Sequence, residues 1–296
     1  MIKRTLFFAQ PCRLTVKDRQ LVASYPDGGE TRSAPVEDLG FVVIENQQIS
    51  ISMPLLTELT NNNVAVVFCN SFHYPSSMLL NLDGHHIQQE LFSHQVAATE
   101  PLKKNLWKQT VEAKIRNQAG ALLKLSKDYR KVLHFADKVK SGDPENVEGS
   151  AARIYWPLLF GSTFTREQHG DPPNNLLNYG YAIIRAAVAR ALAGSGLLAT
   201  LGIHHHNKYN AFCLADDIME PYRPYVDLLV HEICSHEENI DELKTELKLK
   251  LLEVLACDVR MGKQTRPLMI GLSSTTASLA KCFAGTAKKL NYPLIN

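Results

Sequence analysis

Three groups of residues in the middle of this 296-residue chain have types and spacing suited to phosphodiester chemistry. Glu148 stands in Asn146-Val-Glu-Gly-Ser-Ala-Ala-Arg153. His204, His205 and His206 follow Gly202-Ile203. Asp216, Asp217 and Glu220 lie in Leu214-Ala-Asp-Asp-Ile-Met-Glu-Pro-Tyr-Arg-Pro224. Two carboxylates with one imidazole suit Mg²⁺ or Mn²⁺ better than zinc, because oxygen-rich sites favour hard cations. Such an ion polarises a phosphoryl oxygen and stabilises attacking and leaving oxygens in an in-line displacement. With water as nucleophile the outcome is hydrolysis. With a DNA 3′-hydroxyl it is strand transfer.

Each group also has a plainer reading. Most glutamates are surface residues, and Glu148 alone carries little weight. Gly149 costs a helix about 1 kcal/mol relative to alanine, which points to a close backbone approach. Loop histidines are more often solvated than ligating. Asp217 and Glu220 are three apart and Asp216 and Glu220 four apart, so either pair shares a helix face. Pro221 disfavours helical backbone at Glu220 and would turn its carboxylate out of the regular ladder; the plain reading is a helix end with acids on its wet face. Arg166, Asn175 and Arg223 flank the site in sequence. Phosphate contacts and local caps or ion pairs explain them equally well. Tyr179 and Tyr181 suit base stacking, although core packing is favoured for at least one. His231 and His236 resemble a zinc-protease pair but are five apart rather than four, so they do not face one metal, and both are read as surface residues.

The elements that must position these residues fall into two groups. The first eighty residues are β-rich. Strand patterns run over 12–17, 20–25, 41–44, 48–52 and 64–69, with a turn at Pro26-Asp27-Gly28-Gly29 and a short helix opened by Pro54 and stopped by Asn61-Asn62-Asn63. Residues 88–140 have helical periodicity broken only by Pro101 and Gly120. Asp143 is read as the N-cap and Pro144 as the first-turn residue of a helix carrying Glu148 one turn in. Pro172-Pro173 opens a helix that ends at Gly194-Ser195-Gly196, and 227–259 reads as one or two amphipathic helices. The expected fold is α+β: a small N-terminal β-sheet domain over 1–80, a hinge over 81–90 with its first signs from Pro75, and a larger all-α helical domain over 91–296.

Bulk properties narrow the function classes. No run of eighteen apolar residues exists, and the N-terminal apolar stretch is too short for a signal peptide, so a cytoplasmic protein is expected. The six cysteines include no Cys-x-x-Cys pair, which argues against zinc ribbons and a disulfide framework. The net charge of +2 hides an uneven distribution: residues 103–140 hold eleven Lys/Arg against three acids. Such a run usually means a solvated helical face. Beside a metal site the balance moves toward a phosphate-binding surface.

At these residues the chain resembles the CRISPR-associated endonuclease and integrase of the adaptation, or spacer acquisition, module. The matching pieces are 146–153, Asn175-Leu-Leu-Asn-Tyr-Gly-Tyr181, Gly202-Ile-His-His205 and 214–224, in the family's order and spacing. The Gly-Ile-His-His and Glu-Pro-Tyr-Arg-Pro wording is most similar to the type II branch, which works beside an RNA-guided effector nuclease. The resemblance implies a divalent-metal-dependent DNA integrase and nuclease with Glu148, His205 and Glu220 as catalytic metal ligands. Asp217 is a second candidate, since many relatives carry an aspartate as the last ligand. His204 and His206 receive no role. The resemblance further implies homodimers through the β domain. Two dimers flank a dimer of a small companion adaptation protein in a heterohexamer, which inserts short double-stranded DNA fragments into a repeat array. The basic run 103–140 would help to hold the fragment. Two other readings remain: a hydrolytic metal-dependent nuclease that never joins strands, and a helical nucleic-acid-binding scaffold whose acids are merely solvated.

Overall fold

The structure is a computed structural model that describes residues 3–26, 29–81, 83–237 and 239–295. Asp27 and Gly28 of the expected turn lie outside the described residues. The chain divides into two compact units, Met1–His86 and Ile87–Asn296.

The first unit holds β1 (Arg4–Phe8), β2 (Arg13–Lys17), β3 (Gln20–Ser24), β4 (Arg32–Pro35), β5 (Leu39–Ile44), β6 (Ser50–Ile51), α1 (Met53–Asn61), β7 (Ala65–Cys69) and β8 (Pro75–Leu79). They form two four-stranded sheets, ordered β1-β5-β7-β8 and β4-β3-β2-β6. All six residues of β5 are buried, as its unbroken apolar run requires of a central strand flanked by parallel neighbours. Leu55 and Leu59 of α1 join the core that Leu14, Leu21, Val42 and Val66 build. Pro54 opens α1 as expected. One segment differs from expectation. Pro75–Leu79 is not hinge but a strand, antiparallel to β7, with Ser77 opposite Phe68. Its polar residues and leading proline conceal a strand at a sheet edge, where such residues are tolerated.

The second unit is helical: α2 (Gln88–Val96), α3 (Glu100–Lys124), α4 (Arg130–Ala136), α5 (Val147–Phe160), α6 (Asn174–Gly194), α7 (Cys213–Met219), α8 (Arg223–His236), α9 (Thr245–Leu252) and α10 (Leu268–Phe283). A two-stranded hairpin interrupts the helices, β9 (Asp258–Met261) with β10 (Gln264–Pro267), so Val259 lies in a strand rather than at a helix end. Two long helices, α3 and α6, form the interior. Pro101 sits in the first turn of α3, where its missing N–H costs nothing. Among the described residues no helix is long and apolar enough to cross a membrane, and all six cysteines are free.

Candidate active site

The organising element is α3. Trp107, Thr110, Lys114 and Asn117 recur at three- and four-residue intervals, which puts them on one helix face, and all four are buried. This mixed aromatic and polar stripe meets every other part of the site.

Glu148 enters from the start of α5. The helix begins at Val147 with Asn146 as its N-cap, later than the sequence suggests, so Glu148 is a first-turn residue. Asp143 still contributes: its carboxylate accepts the Val147 and Glu148 N–H groups at 2.9 and 3.0 Å. Gly149 is explained locally. Asn146 Oδ1 accepts its N–H at 3.0 Å, and a Cβ there would come within 2.8 Å of the Asn146 amide.

Glu220 follows α7 directly. Its backbone is helical (φ −51°, ψ −46°), contrary to the effect expected of Pro221. The chain tightens into a 3₁₀ turn over Glu220–Tyr222 and continues into α8. Proline at an early position of the new turn gives up no hydrogen bond. The acids of α7 are not on a wet face: Asp217 is fully buried, and Asp216 and Glu220 are nearly so.

Glu148 and Glu220 converge on one positive charge. Lys114 Nζ lies 2.5 Å from Glu148 Oε1 and 2.5 Å from Glu220 Oε2. The other Glu220 oxygen pairs with Arg223 at 2.9 Å. Burial works against the Lys114 charge, but the two carboxylates overcome it and hold its pKa above the ordinary value. Burial likewise opposes ionisation of Glu220, and Arg223 and Lys114 together pull its pKa below the usual range. Two cations and two anions thus form a neutral quartet, with Lys114 and Glu220 buried and Glu148 and Arg223 half-buried, in which each charge offsets the desolvation of its neighbours.

The histidine loop is tied to the same place through Asp217. One Asp217 oxygen accepts the N–H groups of Ile203 and His204 at 2.7 and 3.0 Å; the other accepts the His205 N–H at 3.2 Å and His205 Nδ1 at 2.6 Å. An ionised carboxylate only accepts, so Nδ1 carries the proton, and Nε2 is the imidazole nitrogen not engaged by Asp217. The hydrogen bond to Asp217 raises the His205 pKa despite partial burial, and the Glu220 charge adds to the rise. His204 stacks flat on Trp107, ring centroids 4.1 Å apart, and burial lowers its pKa. His206 is exposed.

The flanking residues divide. Arg223 belongs to the quartet and its guanidinium lies over the Tyr181 ring at 4.8 Å. Arg166 lies over the same ring at 5.3 Å and donates to the side chains of Asn174 and Asn178. Asn175 instead donates to the carbonyls of Ile240 and Asp241, a structural tie to the segment after α8. Tyr179 and Tyr181 are both buried and therefore pack rather than stack on a base. Tyr181 and Tyr155 donate to the buried Asp227, whose pKa burial raises to about 6. His231 of the apparent zinc-protease pair is half-buried beside Lys127, whereas His236 is exposed.

The donor set fits a hard cation at the carboxylate pair. Glu148 and Glu220 already share a cation, and the buried Glu220 Oε2 accepts no hydrogen bond of good direction. Around that pair the ammonium stands where a metal would be expected: among the described residues no three His, Cys, Asp or Glu side chains are arranged to hold one ion. Asp217 has its oxygens taken by the loop. Lys114 and Asn117 lie within the basic run 103–140, which by charge reads as a surface, solvated or phosphate-binding, whereas both side chains are buried. Their spacing from Trp107 and Thr110 was the signal available.

Residues 6–251 match the family model for CRISPR associated protein Cas1. The chain is 34% identical, over 100% of its own length and 97% of the relative's, to the CRISPR-associated endonuclease Cas1 of Neisseria meningitidis serogroup C (strain 8013). In fold it is similar to a casposase bound to its integration product, at TM-score 0.80 and 20% identity, covering 98% of this chain and 93% of that one. A Cas6-RT-Cas1–Cas2 complex matches at TM-score 0.72 and 19% identity, covering 98% of this chain and 36% of that one. From a family model that spans most of the chain and a relative aligned from end to end, the conclusion is that this protein belongs to the Cas1 family of CRISPR-associated endonucleases.

Proposed function

We propose that this protein is a metal-dependent DNA integrase of CRISPR adaptation, in which Glu148 and Glu220 would hold one Mg²⁺ or Mn²⁺ in place of the Lys114 ammonium, with His205 brought in as the third ligand. The observation that carries the reading is the convergence of Glu148 and Glu220 on a single buried positive charge, 2.5 Å from each. The bound ion would supply Lewis-acid polarisation of the phosphoryl group and charge stabilisation of the oxygens that attack and leave.

In strand transfer the 3′-oxygen of the incoming fragment forms a bond to a repeat phosphorus. The bond from that phosphorus to its own 3′-oxygen breaks, and the proton given up by the attacking hydroxyl is balanced by the one the departing oxygen takes up. One phosphodiester replaces another, so no external energy source is needed. The protein's part is placement. Asp217 fixes the tautomer and orientation of His205 and so presents Nε2, as carboxylate partners of ligating histidines do. Lys114 and Arg223 are the cations nearest the carboxylates. The quartet is neutral as it stands, so a divalent ion adds charge that the anionic DNA backbone is suited to offset. Arg166, on the same ring as Arg223, is a second phosphate contact. Asn175, whose amide is taken by the Ile240 and Asp241 carbonyls, is the weakest of the three candidates. The exposed lysines of α3 and α4 supply a non-specific field for double-stranded DNA.

Assembly follows the same reading: a homodimer through the β unit, joined by the small companion protein (Cas2 in the complex of similar fold). Similarity to a casposase bound to an integration product favours joining over cutting alone. The test is strand transfer of a labelled short duplex into a supercoiled repeat-bearing plasmid, with the companion protein, in Mn²⁺ and in EDTA. A labelled plasmid that requires metal and Glu148 supports an integrase. Cleavage without joining means a hydrolytic nuclease, and no metal-dependent product means a binding scaffold.

A further inference from the structure

The C-terminal segment Asn291–Ile295 is bound to the back of the turn that carries Glu220, through a single amide. Asn117 is fully buried on α3. Its Nδ2 donates to the carbonyls of Pro221 at 2.7 Å and Pro293 at 3.0 Å, and its Oδ1 accepts the Ile295 N–H at 3.0 Å. Two donors and an acceptor in one plane are what a carboxamide provides and what a carboxylate, hydroxyl or ammonium does not. Pro221 is the residue after Glu220, and Asn117 is one turn along α3 from Lys114. The same amide therefore touches the backbone of the carboxylate site on one side and the end of the chain on the other.

A second tie runs in parallel. Thr275 Oγ1 donates to the Asn291 carbonyl at 2.6 Å, so at 2.6 Å from Tyr222 it acts as acceptor, and the Tyr222 hydroxyl donates to it. Tyr222 is two residues past Glu220. The segment is further held by Tyr292, whose hydroxyl lies 2.9 Å from Thr110 Oγ1, and by the Leu294 N–H, which donates to Arg260 O at 3.0 Å. Gly120 shows how close the approach is. A Cβ there would stand 2.3 Å from the Ile295 carbonyl oxygen, so α3 carries glycine where the terminal segment lies against it.

We propose that Asn117 is a positioning residue through which the strap 291–295 holds the Glu220–Tyr222 turn, and with it the Glu220 carboxylate, in register with Lys114 and Glu148. The inference rests on the reading of Glu220 as a site carboxylate, but its test does not need the joining reaction. An unpaired buried amide or carbonyl is costly, so loss of the strap exposes the Pro221 carbonyl and the Asn117 amide and frees the turn.

Three variants probe the link from different sides: Asn117→Ala at its centre, Gly120→Ala, which displaces only the strap, and a chain ending at Leu290. Backbone hydrogen exchange over residues 219–225 of the metal-free protein is the first readout, and Mn²⁺ binding by electron paramagnetic resonance the second. Val132→Ala, in the buried interior of α4, serves as a control of comparable loss in thermal stability. Expected are exchange over 219–225 at least tenfold faster in all three variants and not in the control, with tenfold weaker Mn²⁺ binding. A fall in melting temperature with unchanged exchange at 219–225 overturns the proposal. So does an effect in Asn117→Ala that neither Gly120→Ala nor the truncation reproduces. If the exchange result holds but no strand is ever joined, the functional reading fails and the strap stands.

Discussion

The Lys114 ammonium and the Glu220 carboxylate meet at 2.5 Å in the protein interior, one from the middle of α3 and the other from the turn after α7. Glu148 closes the opposite side. Lysine here keeps two mutually repelling carboxylates together. Removing one member of a buried ion pair costs about 3–5 kcal/mol because its partners are left uncompensated. Lys114→Met is therefore expected to lose stability of that order in EDTA and to recover most of it in Mn²⁺. Thermal unfolding with and without Mn²⁺ checks this. If the variant gains no more from Mn²⁺ than the unaltered chain, the carboxylate pair does not take the cation.

Glu148→Gln keeps the shape of the side chain and removes its charge. Joining is expected to fall on the order of 100-fold or more, as when a charge-stabilising group is lost from an active site. DNA binding should change little, since it is dominated by phosphate contacts spread over many lysines and arginines. Strand-transfer rates beside filter-binding affinities separate the two. Parallel losses in both would mean that Glu148 supports the fold or the DNA surface rather than the chemistry.

Asp217→Ala orphans three backbone N–H groups and the His205 Nδ1–H in one step. Each buried orphan costs about 1–3 kcal/mol. With some relief by water, a loss of about 3 kcal/mol or more is expected in denaturant unfolding. Joining should fall about 10–100-fold as His205 loses its orientation. His206→Ala, at an exposed position with no assigned role, should leave both quantities unchanged; an equal effect of the two variants would sink the account of the loop.

Asp227 gives the stability a pH dependence with a definite sign. Burial raises its pKa from 3.8 to about 6 in the folded chain. Between those values the folded protein keeps a proton that the unfolded chain has released, so stability falls as pH rises through the window and levels off above it. Two units correspond to about 3 kcal/mol as an upper figure. Urea unfolding between pH 4 and 7 should show the decline, and Asp227→Asn should flatten it. An unchanged slope in that variant would assign the dependence to other groups.

Much of the fold was legible from local pattern. The apolar run of β5, the alternation in β2 and the proline-led start of α1 follow from side-chain period and backbone chemistry, which act within a few residues, whereas Pro101, which reads as a break in a helical stretch, instead opens α3. Pro75–Leu79 escaped because an edge strand takes its stability from β7 and not from its own composition. The hairpin of β9 and β10 escaped for the same reason. At the site, Pro221 misled: its steric preference is weak beside a chain already committed to helix on both sides.

The amino-acid sequence alone determined which carboxylates and histidines carry the chemistry's donor types, and at what spacing along α5, the 202–206 loop and α7. Tertiary structure decided their charge environment. Whether a lysine of α3 is one more solvated cation or the counter-ion of two glutamates depends on which helix faces meet, and that is settled by burying α3 against α5, α8 and the 3₁₀ turn. The same holds for Asn117, whose amide gains meaning only where the last residues of the chain return to the middle of α3. Pairings between segments so distant in sequence arise from packing of the whole interior, which no local window of residue types contains.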